Sequence, residues 1–274
     1  MGEEGMMRRA QWMSPFGIAI LVAIGCGGGT PQDAAATIKT GDAETPMQLA
    51  QASAEAQPAG GAGSASVHGT VRFDGTAPPR EPVQMAADPV CQQQHTSPVH
   101  SEDVVVNENG TLKHVFVYVK EGVTGSFPTP TTPVVLDQNG CWYTPHVFGI
   151  QVGQPLEIVN SDPTLHNVNA KPSQNRPFNI AQPVKGMKTS KTFTAPELGV
   201  KFKCNVHPWM SAYGHVVAHP YFSVSGSDGS FAITGLPAGT YVLEAWHEAY
   251  GTQTQTLSVA DGESKSVDFT FTAK

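Results

Sequence analysis

The stretch VKFKCNVHPWM, residues 200–210, opens as a run of β-type residues and closes on Cys204, His207 and Met210, spaced three apart. It is either an ordinary strand end, with a cysteine filling core, or three ligands presented to one metal. Upstream, QVGQPLEIVNSDPTLHNV (residues 151–168) carries an alternating strand, PLEIVN, into a polar turn and then His166. The chain therefore offers one histidine after an early strand and Cys-x2-His-x2-Met after a late one.

The rest of the sequence sets these segments in an all-β frame. At 274 residues the chain holds one large domain or two small ones. Only 14% of residues are charged, while Gly (28) and Pro (22) are plentiful. Val, Thr, Phe and Tyr recur in short alternating runs without a helical period, as in a β-sandwich protein with many turns. The net charge of −7 argues against nucleic acid as a partner.

At the N-terminus, Arg8 and Arg9 precede an apolar run, WMSPFGIAILVAIG, too short to span a bilayer as a mature helix. The run ends in Ala-Ile-Gly-Cys26, which resembles a bacterial lipobox. On that reading residues 1–25 are a lipoprotein-type signal peptide and Cys26 is lipidated; a plain signal peptide is the alternative. Residues 26–65 hold almost no large apolar groups and read as a disordered tether, with a coil reach of roughly 35 Å. The protein is expected in the bacterial periplasm or cell envelope, touching membrane only through the lipid.

An exported protein meets an oxidising compartment, where disulfides persist. Cys91 (DPVCQQQH) and Cys141 (QNGCWY) sit in turn-like surroundings with no ligand-like neighbour at short spacing except His95. They are expected to form a disulfide, which leaves Cys204 as the odd cysteine. His95 and His100 are expected to be solvated.

A trigonal His2Cys set with a weak axial Met is the ligand set of a blue-copper electron-transfer site. Soft thiolate and thioether donors favour Cu(I), imidazoles suit both oxidation states, and a rigid sandwich limits rearrangement between them. The two segments quoted above resemble the copper-binding segments of cupredoxins, the plastocyanin and amicyanin family. The short loop with proline after the histidine is most similar to amicyanin.

The resemblance implies a Greek-key β-sandwich over residues 123–219 and one type 1 copper ion held by His166, Cys204, His207 and Met210. It makes Asn167 the residue that buttresses the site. It also implies that the ring edge of His207 breaches the surface as the electron exit, beside Trp209, with Pro163 and Pro208 forming an apolar docking patch. Trp209 departs from the smaller aromatic usual there. Zinc is a poor match for Cys1His2 with Met.

The implied function is electron transfer, with no enzyme activity, to a redox protein such as a cytochrome or a periplasmic dehydrogenase. A copper carrier or storage protein is the alternative. A copper reductase would need a second, solvent-open copper. His146 and His215 are the nearby candidates for one, or else they are structural histidines.

The flanks carry a second resemblance. In residues 222–271, Asp228-Gly229 signals a hairpin between alternating strands and Leu236-Pro237-Ala238-Gly239 another turn, followed by TYVLEAW. With VHGTVRFDG (67–75) and KHVFVYVK (113–120), this is similar to the carboxypeptidase regulatory-like, transthyretin-like β-sandwich. Fifty residues are too few for an independent sandwich. Residues 66–122 and 220–274 are therefore expected to form one sandwich around an inserted copper domain; the alternative enlarges the copper domain's sheet with the early strands.

Overall fold

Alternation decides which residues face inward. Along β1 (Ala65–Asp74) every second residue is buried, so the strand carries one apolar face; β6 (Pro155–Asn160) does the same. The computed structural model describes residues 63–273, and these are built almost entirely of such strands. The signal segment, Cys26 and nearly all of the expected tether lie outside the described residues. Ala65, expected as the last tether residue, instead opens β1 and is fully buried.

After β1 come a short helix, α1 (Pro89–Gln93), and β2 (Phe116–Glu121). The middle of the chain supplies β3 (Val134–Gln138), β4 (Tyr143–Thr144), β5 (Val147–Gln151), β6, β7 (His166–Ala170) and β8 (Phe178–Gln182). It continues through β9 (Lys188–Thr192), β10 (Glu197–Lys203) and β11 (Ser211–Val217). The last part supplies β12 (Phe222–Val224), β13 (Ser230–Leu236), β14 (Gly239–His247), β15 (Gly251–Val259), β16 (Ser264–Ser266) and β17 (Phe269–Thr272).

These strands form two sandwiches. The first pairs the sheet β13–β1–β16, with β17 on the far half of β1, against the sheet β12–β2–β14–β15. Between them lie Val67, Val71, Val117, Val119, Leu243 and Phe269. The second pairs β5–β11–β10–β7–β8 with β4–β3–β6–β9 over Leu136, Ile150, Ile158, Val168, Phe202 and Val216. The first sandwich thus draws its strands from both flanks of the sequence, the second from the middle.

The sandwiches meet along a seam of Phe116, Tyr118, Val147, Val217 and Phe222. Gly149 on β5 lets them close: a Cβ there would stand 2.3 Å from Phe222 Cε2 and 2.8 Å from a ring carbon of Phe116.

The long connection from β1 to β2 does not stay with its own sandwich. Met85 and Cys91 are buried in the core of the second one, with Val83 and Val99 packed beside them. Residues 66–122 therefore divide, because the apolar residues of this strap find their burial over the neighbouring core.

Candidate metal centre

β10 and β7 are antiparallel neighbours, with Phe202 opposite Ala170 and Lys203 opposite Asn169. The end of β10 therefore lies beside the end of β7, and the chain beyond it runs back along β7, with Asn205 N donating to Asn167 Oδ1, which brings Cys204 toward His166. The loop after β10 is a tight turn. Cys204 N donates to Met210 O (3.2 Å), Met210 N to His207 O (3.0 Å), and His207 N to Cys204 Sγ (3.3 Å).

His166, Cys204 and His207 are buried and present one donor atom each, all within 4.8 Å of one another. The two Nδ1 atoms are 2.9 Å apart, and His207 Nδ1 is 3.8 Å from the sulfur. Bonds of about 2.0–2.3 Å to one shared ion can span such gaps. Met210 is fully buried in the same core as Cys204.

Each histidine has a carboxylate on its other nitrogen. His166 Nε2 faces Asp162 Oδ2 at 2.8 Å and His207 Nε2 faces Asp88 Oδ2 at 2.9 Å. Carboxylates accept, so both Nε2 atoms donate. Each Nδ1 is left as the nitrogen that faces the sulfur.

The electrostatics follow from these contacts. Burial pushes the Cys204 thiol up, but hydrogen bonds from His166, His207 and the His207 backbone outweigh it and hold the thiol at about 5. Burial lowers His166, yet Asp162 and Cys204 bring it up to about 9. His207 is also raised: burial opposes charge, while Cys204 and Asp88 favour it. Two imidazoles and a thiolate converge on a small dry space that protons share in the free protein. A soft cation fits that donor set, because it satisfies all three electron pairs at once.

Asn167 joins the two segments: its Oδ1 accepts from Asn205 N (2.6 Å), and its amide donates to Asn179 Oδ1. Cys91 and Cys141 are linked by a disulfide, and Cys204 is a free, buried thiol. Trp209 is half-buried, 5.0 Å ring to ring from His207, and its Nε1 donates to Cys141 O (3.1 Å). Pro163 and Pro208 are exposed.

Two expectations are corrected. His207 is not an exposed edge: it is 2% accessible, because Asp88 and the disulfide, with Cys91 Sγ 3.6 Å from its Nε2, cover it. His95 is not simply solvated; its Nε2 donates to Gly140 O at 2.7 Å and helps tie the strap down.

His146 and His215 stand apart from this cluster. His146 Nδ1 donates to Ser211 O (3.1 Å) and Nε2 meets Glu248 Oε1, with Glu102 and His114 close by. His215 is fully buried at the seam, stacked on Phe116 with 4.1 Å between ring centroids.

Asp88 and Asp162 were missed from the sequence. Each precedes a proline (Asp88-Pro89, Asp162-Pro163), and Asp162 is four residues before His166. Those were the available signals. Neither singles out a metal site, since Asp-Pro is also a common turn and cap pair.

Comparison with known proteins bears on parts of the chain. Residues 216–272 match the carboxypeptidase regulatory-like domain family. No curated protein matches the sequence significantly. Among solved structures, the copper-containing nitrite reductase NirK from Thermus scotoductus SA-01 aligns at 26% identity with a TM-score of 0.30. The alignment covers 35% of this chain and 24% of that one. A reduced amicyanin variant aligns at 23% identity and a TM-score of 0.28, over 31% of this chain and 82% of its own. A purple cupredoxin from Nitrosopumilus maritimus aligns at 20% identity and 0.27, over 31% and 98%.

Proposed function

We propose that this protein is an exported, lipid-anchored copper protein of the bacterial envelope that transfers single electrons. The carrying observation is the convergence of His166, Cys204 and His207 on one buried point, with a thiol held acidic. Met210 is the axial candidate from the same loop. Bound copper would supply one-electron chemistry, passing between Cu(I) and Cu(II).

The chain's own residues set the conditions for that chemistry. Asp162 and Asp88 orient the two imidazoles with Nδ1 inward. The His207 backbone N–H holds the thiolate, and Asn167 locks the loop to β7. Burial excludes water, and donors held by β7 and by the hydrogen-bonded turn after β10 move little, which keeps the reorganisation barrier low.

With His207 covered, we place the electron route at Trp209, half-buried against its ring. The docking face is the adjacent rim, where Leu165 and Val206 are 42% and 45% exposed beside Pro163 and Pro208. A cytochrome or periplasmic dehydrogenase is the kind of partner that suits such a rim.

The visible and EPR spectra of copper-loaded protein test the reading. An intense thiolate-to-copper charge-transfer band is expected, and Cys204→Ser should abolish it. A colourless Cu(II) form of the wild type would end the type 1 reading.

A further inference from the structure

Resting on that reading, we propose that Asp88 and Asp162 are a matched pair of positioning residues. Each holds one histidine ligand by its outer nitrogen and strengthens it as a donor, and the Cys91–Cys141 disulfide joins the two clamps.

The observations are symmetrical about the site. Asp162 Oδ2 takes the His166 Nε2 proton at 2.8 Å, and Asp88 Oδ2 takes the His207 Nε2 proton at 2.9 Å. Neither carboxylate is free to turn away. Asp162 also accepts from the backbone N–H groups of Gly140 and Cys141, both at 2.8 Å. Asp88 caps α1, its Oδ1 accepting from Val90 N (2.9 Å) and Cys91 N (3.3 Å), while Thr164 Oγ1 donates to its Oδ2 at 3.1 Å. One carboxylate is thus held by the N–H of Cys141 and the other by the N–H of Cys91, and these two cysteines are bonded to each other.

The origins differ. Asp162 lies in the loop that leads into β7. Asp88 comes from the strap, 119 residues from its histidine. The strap therefore contributes a side chain to the site as well as covering it.

A carboxylate on the far nitrogen fixes the tautomer of a metal-bound imidazole and raises its basicity. A more basic donor favours Cu(II) over Cu(I). Loss of such a partner costs about 10–100-fold in metal affinity. Asn in place of Asp88 keeps the size but removes the charge and the strong acceptor. A tenfold weakening of Cu(II) relative to Cu(I) corresponds to a rise of about 59 mV in a one-electron potential.

The test uses the full chain with its disulfide intact. In the metal-free protein, proton NMR should show two hydrogen-bonded, slowly exchanging ring protons, one from each Nε2. Asp88→Asn should move only the His207 resonance upfield, and Asp162→Asn only that of His166, because an amide oxygen accepts more weakly than a carboxylate. In the copper-loaded protein, Asp88→Asn should keep one copper per chain and a coloured site, with the preference for Cu(I) over Cu(II) raised at least tenfold, a rise of about 59 mV or more in potential. A coloured Asp88→Asn protein with an unshifted potential overturns the proposal, as does a His207 ring-proton resonance left at its wild-type position. A wild-type chain that shows both ring protons but takes up no copper supports the two clamps and ends the electron-transfer reading instead.

Discussion

At the scale of single residues, the site separates donors by hardness. Cys204 and the two imidazoles share the dry space, and Met210 closes the loop with its backbone bonded to both Cys204 and His207. A thioether is a soft, weak donor, so it costs Cu(I) little and gives Cu(II) little. Met210→Gln brings a harder oxygen to the same place. The variant should stay coloured and show a lower reduction potential by voltammetry, because oxygen favours Cu(II). An unchanged potential would mean that Met210 is not the axial ligand.

At the scale of elements, the strap carrying α1 does what no sheet strand does: it leaves one sandwich and buries Met85 and Cys91 in the other. Besides that packing, several specific contacts hold it. Among them are the disulfide to Cys141, the bond from His95 to Gly140 O, and the Asp88 contacts to His207 and Thr164. The disulfide spans 50 residues of sequence. A loop of that size restricts the unfolded chain enough to stabilise the fold by about 4 kcal/mol in the chain-entropy account. A Cys91→Ser, Cys141→Ser double variant should therefore lose about 2–4 kcal/mol in urea unfolding. A midpoint equal to that of the wild type would show that packing alone holds the strap.

At the scale of the whole molecule, the seam joins the two sandwiches, and His215 is buried in it. Burial alone lowers His215 to about 3. Its Nδ1 accepts from Gly199 N at 3.3 Å, and its ring lies between Phe116 and Trp246. The folded value is below the unfolded one of about 6.5, so the unfolded state binds the extra proton between pH 6.5 and about 3. Stability from this group is present above the unfolded value and is lost as pH falls through that window. Going from pH 7 to pH 4.5 should cost on the order of 2–3 kcal/mol through this histidine alone. His215→Gln, which keeps an acceptor for Gly199, should lose less stability over that range in urea unfolding. Equal losses in the two proteins would place the acid sensitivity elsewhere.

Much of this was legible in the chain itself. The all-β class came from alternation and turn residues, because a strand's side-chain period is short enough to read directly. Cys204, His207 and Met210 were legible because one loop holds all three. His166 was legible because it follows the alternating strand β6 across a short polar turn.

What stayed hidden depends on contacts across long separations. Asp88 meets His207 over 119 residues, and nothing in either segment specifies the other. The exposure of His207 was misjudged for the same reason, since the covering residue arrives from the other sandwich's strap. Local sequence determined which donors exist and which strand ends present them. Only the tertiary structure decided which nitrogen of each imidazole faces the sulfur and what shields the site. Burial and hydrogen-bond partners are supplied by whatever the fold brings alongside.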